Sequence, residues 1–138
     1  MCIRDSLNGF KYNPPKKHPF NPLAALRMSL KEVSGDDQLR VIDSIFEEGW
    51  SHGADLGDLS ILTSLLTRQS IDGETLSKKV SESEIKELLI DETTYAIEKG
   101  VFGVPTIIVD DNLFWGNDQM DHIELLSLIH ISEPTRPY

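Results

Sequence analysis

Cysteine is almost missing from this chain: the 138 residues hold one, Cys2. Everything after it offers no disulfide, no thiolate metal ligand and no sulfur nucleophile. Positive charge is scarce as well, with 13 lysines and arginines against 23 aspartates and glutamates and a net charge of −10. That balance works against non-specific binding to nucleic acid and against attraction to an anionic membrane surface. No apolar run approaches the ~20 residues that a bilayer-spanning helix needs. Neither repeats nor low-complexity stretches are visible. His18, His52 and His122 lack the spacing of a metal site and read as exposed side chains.

What is present begins with two unusual ends. Met1–Ser6 can be encoded by a short DNA word whose reverse complement encodes Leu-Ser-Leu-Ile-His and the start of Ile, which is Leu126–Ile131. The word looks like a transposase adapter used to prepare sequencing libraries, and Ser132–Arg136 resemble its continuation. Residues 1–6 and 126–138 are therefore read as adapter-derived and set aside from the fold. Arg4 cancels Asp5 and Arg136 cancels Glu133, so the acidic balance belongs to residues 7–125.

Within that span the residues predict helices first and strands last. Pro14, Pro15 and Pro19 hold Leu7–Phe20 extended. Asn21 then caps a helix with Pro22 at its first position, and "PLAALRMSLKEV" continues it to a stop at Gly35. "DDQLRVIDSIFEEGW" repeats apolar residues at Leu39, Ile42, Ile45/Phe46 and Trp50, the spacing of one helical face. Glu47 and Glu48 read as a solvated part of it. Asp58 caps a third helix with Leu59, Leu62, Leu65 and Leu66 inward. A short helix follows over Gly73–Val80. Ser81 and Glu84 form a capping box for a long helix carrying Ile85, Leu88, Leu89 and Ala96, ended by Gly100. The period then changes: "PTIIVDDNLFWG" is β-branched and aromatic with a break at Asp110–Asn112, the pattern of a hairpin. Asn117 and Asp118 open a last helix, "DQMDHIELL", which the adapter-derived end interrupts. A lone hairpin this apolar is marginal in water without further strands or a covering layer, so the chain reads as part of a longer one.

"GVFGVPT" (Gly100–Thr106) and "LFWGNDQMD" (Leu113–Asp121) resemble the 2-hydroxychromene-2-carboxylate isomerases, which sit in the DsbA-like, kappa-class glutathione transferase branch of the thioredoxin superfamily. "FNPLAALR" (Phe20–Arg27) and "FEEGWSHGADLGDLSIL" (Phe46–Leu62) match the family's helical region in order and spacing. The resemblance implies an α/β, thioredoxin-like fold whose first βαβ unit lies upstream, leaving a mostly helical chain with one β-hairpin. Residues 7–100 would be the helical insertion and residues 101–125 the C-terminal ββα half.

The same resemblance supplies the chemistry. Glutathione would be the cofactor, with the main chain of Val104, before a cis Pro105, pairing with the tripeptide as an added strand. Trp115, Gly116, Asn117 and Asp118 would receive its γ-glutamyl end: the helix tip for the carboxylate, Asp118 for the ammonium. Asn117 or Asp118 could equally serve only to cap the helix, and Trp115 could be core. Gln119 stands where relatives commonly carry arginine. Phe20 and Asn21 occupy positions that approach a small aromatic substrate, and Arg27 reads as a surface or structural ion pair.

The catalytic serine of the family would lie upstream, so the full-length parent would be a glutathione-dependent isomerase of aromatic degradation and this chain alone inactive. The resemblance further implies a cytoplasmic parent and allows a homodimer, with no membrane or nucleic-acid partner. A DsbA-like thiol–disulfide oxidoreductase or a kappa-class glutathione transferase would share the architecture. A purely helical interaction module would leave the Val104–Pro105 hairpin without a purpose.

Overall fold

The computed structural model describes residue 9 and residues 11–132, with side chains described to residue 126. The adapter-like residues 1–6 and 133–138 lie outside the described residues. The chain divides into two compact units, Met1–Asp91 and Glu92–Tyr138. Among the described residues no helix is long and apolar enough to cross a membrane.

The first unit opens with an extended segment whose Asn13 N–H donates to the Trp50 carbonyl at 2.6 Å and whose Pro15 is buried. Helix α1 (Leu23–Met28) follows. Its entry is capped as the residues foretell: the Asn21 side-chain oxygen accepts from the Leu23 N–H at 3.0 Å, and the Pro22 carbonyl receives the first helical bond from Leu26.

The expected continuous helix to Gly35 is in fact broken. Leu30 takes an extended conformation, φ −68° and ψ 142°, and α2 restarts over Lys31–Ser34. Serine side chains at the break bond backward, Ser29 Oγ to the Ala25 carbonyl at 2.9 Å and Ser34 Oγ to the Leu30 carbonyl at 2.8 Å. Gln38 Nε2 occupies the Ser29 carbonyl at 2.9 Å. The Gln38 amide thus takes the carbonyl that a continuous helix would offer to Val33, whose N–H turns to Leu30 instead. Gly35, at φ +57°, ends α2 as expected.

Helix α3 (Gln38–Trp50) buries Val41, Ser44, Ile45 and Gly49. The expected face is thus corrected: Leu39 is 74% exposed and Phe46 62%. The true core stripe contains a serine and a glycine, which carry no hydrophobic signal. A Cβ on Gly49 would meet Leu56 Cδ1 at 2.5 Å, so only glycine lets the buried Leu56 close over the helix. Helix α4 (Leu59–Arg68) packs between α3 and α5 (Gly73–Lys79). Leu62, Leu65 and Leu66 are buried, whereas Leu59 is 37% exposed. Met28, Val41, Leu62, Leu65 and Leu66 are the largest fully buried side chains.

Asp58 caps α4 by accepting from the Ser60 and Ile61 N–H groups, and Asp72 caps α5 by accepting from Thr75. Helix α6 begins at Ser83, not at the expected capping box. The Ser81 and Glu82 amides are taken by the Lys78 and Lys79 carbonyls at the end of α5, and the Glu82 carbonyl receives Lys86. The boundary between the two units falls inside α6 (Ser83–Glu98).

The second unit carries the hairpin. Strand β1 (Thr106–Val109) pairs antiparallel with β2 (Asn112–Trp115), Thr106 facing Trp115 and Val109 facing Asn112. The loop is the two residues Asp110 and Asp111, both at positive φ (48° and 62°). That is the geometry whose twist suits a tight hairpin, and aspartate tolerates it. A short 3-10 turn (Asn117–Gln119) leads into α7 (Met120–Ser132). The helix continues into the adapter-like residues, with no proline or glycine before Pro134 to stop it. No described side chain of residues 92–126 is fully buried.

Two outcomes follow for the first unit. Leu62→Ala should cost about 2–5 kcal/mol in chemical denaturation, the range for emptying a buried leucine site. The Asp58 carboxyl is held below its usual range by the Ser60 hydroxyl and then by the Ser60 and Ile61 amides. Thr75 does the same for Asp72 through its amide and then its hydroxyl. A depressed folded value gives stability that is complete above the unfolded carboxylate range and lost as pH falls through the folded value. Thermal unfolding of Asp58→Ala/Asp72→Ala should therefore show a lower midpoint than wild type at neutral pH, with the gap closing in acid.

Candidate binding site

The second unit places its most distinctive residues beside one another through main-chain bonding. The β1–β2 ladder ends at Thr106–Trp115, and one further bond ties Pro105 to Gly116 beyond it. In that bond the Gly116 N–H donates to the Pro105 carbonyl at 2.9 Å. The Val104–Pro105 peptide bond is cis, as is His18–Pro19. Val104 is 87% exposed. Among the described residues neither its N–H nor its C=O has a hydrogen-bond partner. A backbone edge of this kind can accept an extended peptide.

Across from it, Gly116 adopts φ 99° and ψ 152°, a region open essentially to glycine alone. A Cβ there would also meet Asp118 Oδ1 at 2.5 Å. Glycine thus turns the chain out of β2 and lets the Asp118 carboxylate sit against the turn. Gln119, the position that departs from the family pattern, donates its N–H to the Gly116 carbonyl at 3.2 Å. Its side-chain amide reaches Asp118 Oδ2 at 3.3 Å. Asn117 opens the 3-10 turn and Met120 the helix. The turn therefore presents a carboxylate and the first amides of a helical segment next to the Val104 edge.

Two further residues belong here that sequence reasoning quoted only as part of a motif. A Cβ on Gly103 would lie 2.5 Å from Trp115 Nε1, so this glycine lets the indole lie against the main chain just before Val104. Phe102, 72% exposed, meets the Trp115 ring at a centroid distance of 5.2 Å. Trp115 is itself 52% exposed. It is not ordinary core; with Phe102 and Val104 it forms an exposed apolar surface. The Gly-x-Pro spacing of Gly103 and Pro105 was the signal available for the first of these.

Phe20 and Asn21 belong to the first unit, Phe20 partly buried against its core. The His18 ring meets Phe20 edge-on at 5.9 Å and leans on Trp50 at 6.1 Å. Arg27 is not the ion pair that was expected: among the described residues it makes no salt bridge, and its Nε is buried without a partner. Glu48 is not solvated either. Its side chain is 17% exposed and binds Arg68 at 3.2 Å, with His52 Nδ1 at 3.8 Å. Among the described residues no cluster of His, Cys, Asp and Glu could hold a metal ion.

The exposed edge before a cis proline, followed by a hairpin and a helix, is a combination that can be compared with known proteins. Residues 6–126 match the profile of the DSBA-like thioredoxin domain. The chain belongs to the DsbA-like thioredoxin family. Among curated members it is 31% identical over 91 residues to the 2-hydroxychromene-2-carboxylate isomerase of Sphingobium xenophagum, covering 65% of this chain and 47% of that protein. The enzyme of the same name from Pseudomonas putida is 31% identical over 84 residues, covering 60% and 41%. The chain thus spans less than half the length of these relatives. A solved 2-hydroxychromene-2-carboxylate isomerase superposes with a TM-score of 0.79 at 22% identity over 92% of this chain and 62% of that one. That likeness establishes the DsbA-like fold.

Gly116→Ala should destabilise the turn by about 1–3 kcal/mol, the usual cost of a disfavoured backbone region. Amide hydrogen exchange would read this as faster exchange at Gln119 and along β1–β2, with the first unit unchanged.

Proposed function

We propose that this chain is part of a glutathione-dependent isomerase that acts on an aromatic-degradation intermediate of the 2-hydroxychromene-2-carboxylate type. The observation that carries the reading is the unpartnered Val104 main chain, one residue before the Pro105 carbonyl that the Gly116 turn holds. Three curated relatives named 2-hydroxychromene-2-carboxylate isomerase support the substrate class.

The residues present fit a tripeptide with a free amino acid end. The Val104 N–H and C=O would pair with the central main chain of glutathione, as a strand pairs with a sheet edge. Amides at the Gly116–Asp118 turn would receive the γ-glutamyl carboxylate, where a helical N-terminus favours negative charge. The Asp118 carboxylate would take the α-ammonium, a pairing in which both partners are charged. Trp115 would flank the bound peptide.

When bound, glutathione supplies a thiolate, the nucleophilic form of a thiol. The chain's own contribution is to hold the tripeptide in one orientation so that its sulfur meets the substrate at a fixed place, a gain in effective concentration. The group that stabilises the thiolate would be a serine upstream of residue 7. Residues 7–125 alone would then bind glutathione without catalysing isomerisation.

Titration of glutathione into the isotope-labelled chain tests this. Amide shifts are expected at Val104 and at Gly116–Gln119. Asp118→Asn should weaken binding roughly tenfold or more, since hydrogen bonds to charged groups contribute about 1.5–3 kcal/mol. Shifts confined to the first unit, or equal affinity for the variant, would remove the proposal.

A further inference from the structure

A cleft of about 730 Å³ opens in the first unit, far in sequence from the Val104 edge. Its size falls in the range of small-molecule pockets. One wall is a single face of α3, where Asp43, Phe46, Glu47 and Trp50 follow the i, i+3, i+4, i+7 spacing of neighbours on a helix. Tyr12 stands on the other side, its ring parallel to that of Trp50 within 7° at a centroid distance of 6.5 Å. Phe46 and Tyr12 are 62% and 46% exposed, so their ring faces are not consumed by the core.

The charges have one sign in excess. Asp43 and Glu47 stand one turn apart on α3, and like charges at that spacing repel. Among the described residues neither carboxylate makes an ion pair. Lys11 lines the cleft and offsets one of the two. Aromatic faces attract cations through their ring quadrupoles, most strongly for tryptophan. Three aromatic rings and a surplus carboxylate therefore favour the same class of guest.

We propose that the cleft formed by Tyr12, Asp43, Phe46, Glu47 and Trp50 binds a small organic ammonium ion with an aromatic or quaternary head. The rings hold the apolar and cationic face of the guest, and the carboxylates select against anions. This does not rest on the glutathione reading: the two sites share no residue, and the guest preferred here has the opposite charge to an aromatic carboxylate.

Calorimetric titration of the chain with phenyltrimethylammonium, with benzoate as the anionic comparator, decides the matter. The expected result is binding of the cation in preference to benzoate. Affinity should fall at least tenfold in Asp43→Asn/Glu47→Gln and several-fold in Phe46→Ala, while circular dichroism and the thermal midpoint show retained folding. All three substituted side chains are exposed; should the double variant fail to fold, Phe46→Ala and the two single carboxylate variants carry the same test. Unchanged affinity in the folded variants, benzoate binding as tightly as the cation, or no measurable binding of the cation would overturn the proposal.

Discussion

The hydrogen bond from the Gly116 amide to the Pro105 carbonyl is the constraint on which the candidate site depends. It extends the β1–β2 ladder by one pair at its open end and so holds the Gly116 turn against the residue that follows Val104. Without it, the exposed edge and the acidic turn would be two unrelated features of one short ribbon. Two glycines make the arrangement feasible in steric terms. Gly116 takes a backbone region other residues avoid, and Gly103 leaves room for the Trp115 indole. The side chains that would meet a ligand are therefore placed by main-chain geometry more than by their own packing.

Burial is distributed unevenly between the two units. Every buried core residue lies between Ala25 and Ile85, gathered around Met28, Val41 and the three leucines of α4. The described part of the second unit has none, and Phe102, Val104, Ile108 and Trp115 are all exposed. A two-stranded ribbon with this much apolar surface requires a covering layer or additional strands for independent stability. Relatives more than twice as long as the matched segment are in keeping with that need. The helical unit, by contrast, meets the ordinary requirement of a contiguous core.

Where sequence legibility was high, the signal was local. Asp58 before an apolar helix, Gly35 after one, and a β-branched then aromatic stretch broken at Asp110–Asn112 each have a short-range cause, and the structure bears out the cap, the stop and the hairpin, with the loop narrowed to Asp110–Asp111. Failures arose where tertiary packing or competing hydrogen bonds decide. The buried stripe of α3 runs through Ser44 and Gly49, invisible to a search for apolar spacing. Gln38 takes the Ser29 carbonyl at the point where what reads as one helix divides. Ser81 is used by the end of α5 before it can cap α6. Of the candidate site, the residues were legible through the family motif, but the register that brings Pro105 to Gly116 was not. Register depends on a two-residue loop, and a loop longer by one would have moved each partner to the opposite face.

The central claim is that Val104 offers a free main-chain edge next to the Pro105–Gly116 link that leads into the Asn117–Asp118 turn. Amide hydrogen exchange, measured residue by residue with and without glutathione, tests it most directly. The account predicts rapid exchange at Val104 and protection at Gly116 in the free chain, then slowed exchange at Val104 once glutathione is added. Protection of Val104 in the free chain, or exchange there that glutathione leaves untouched, would contradict it.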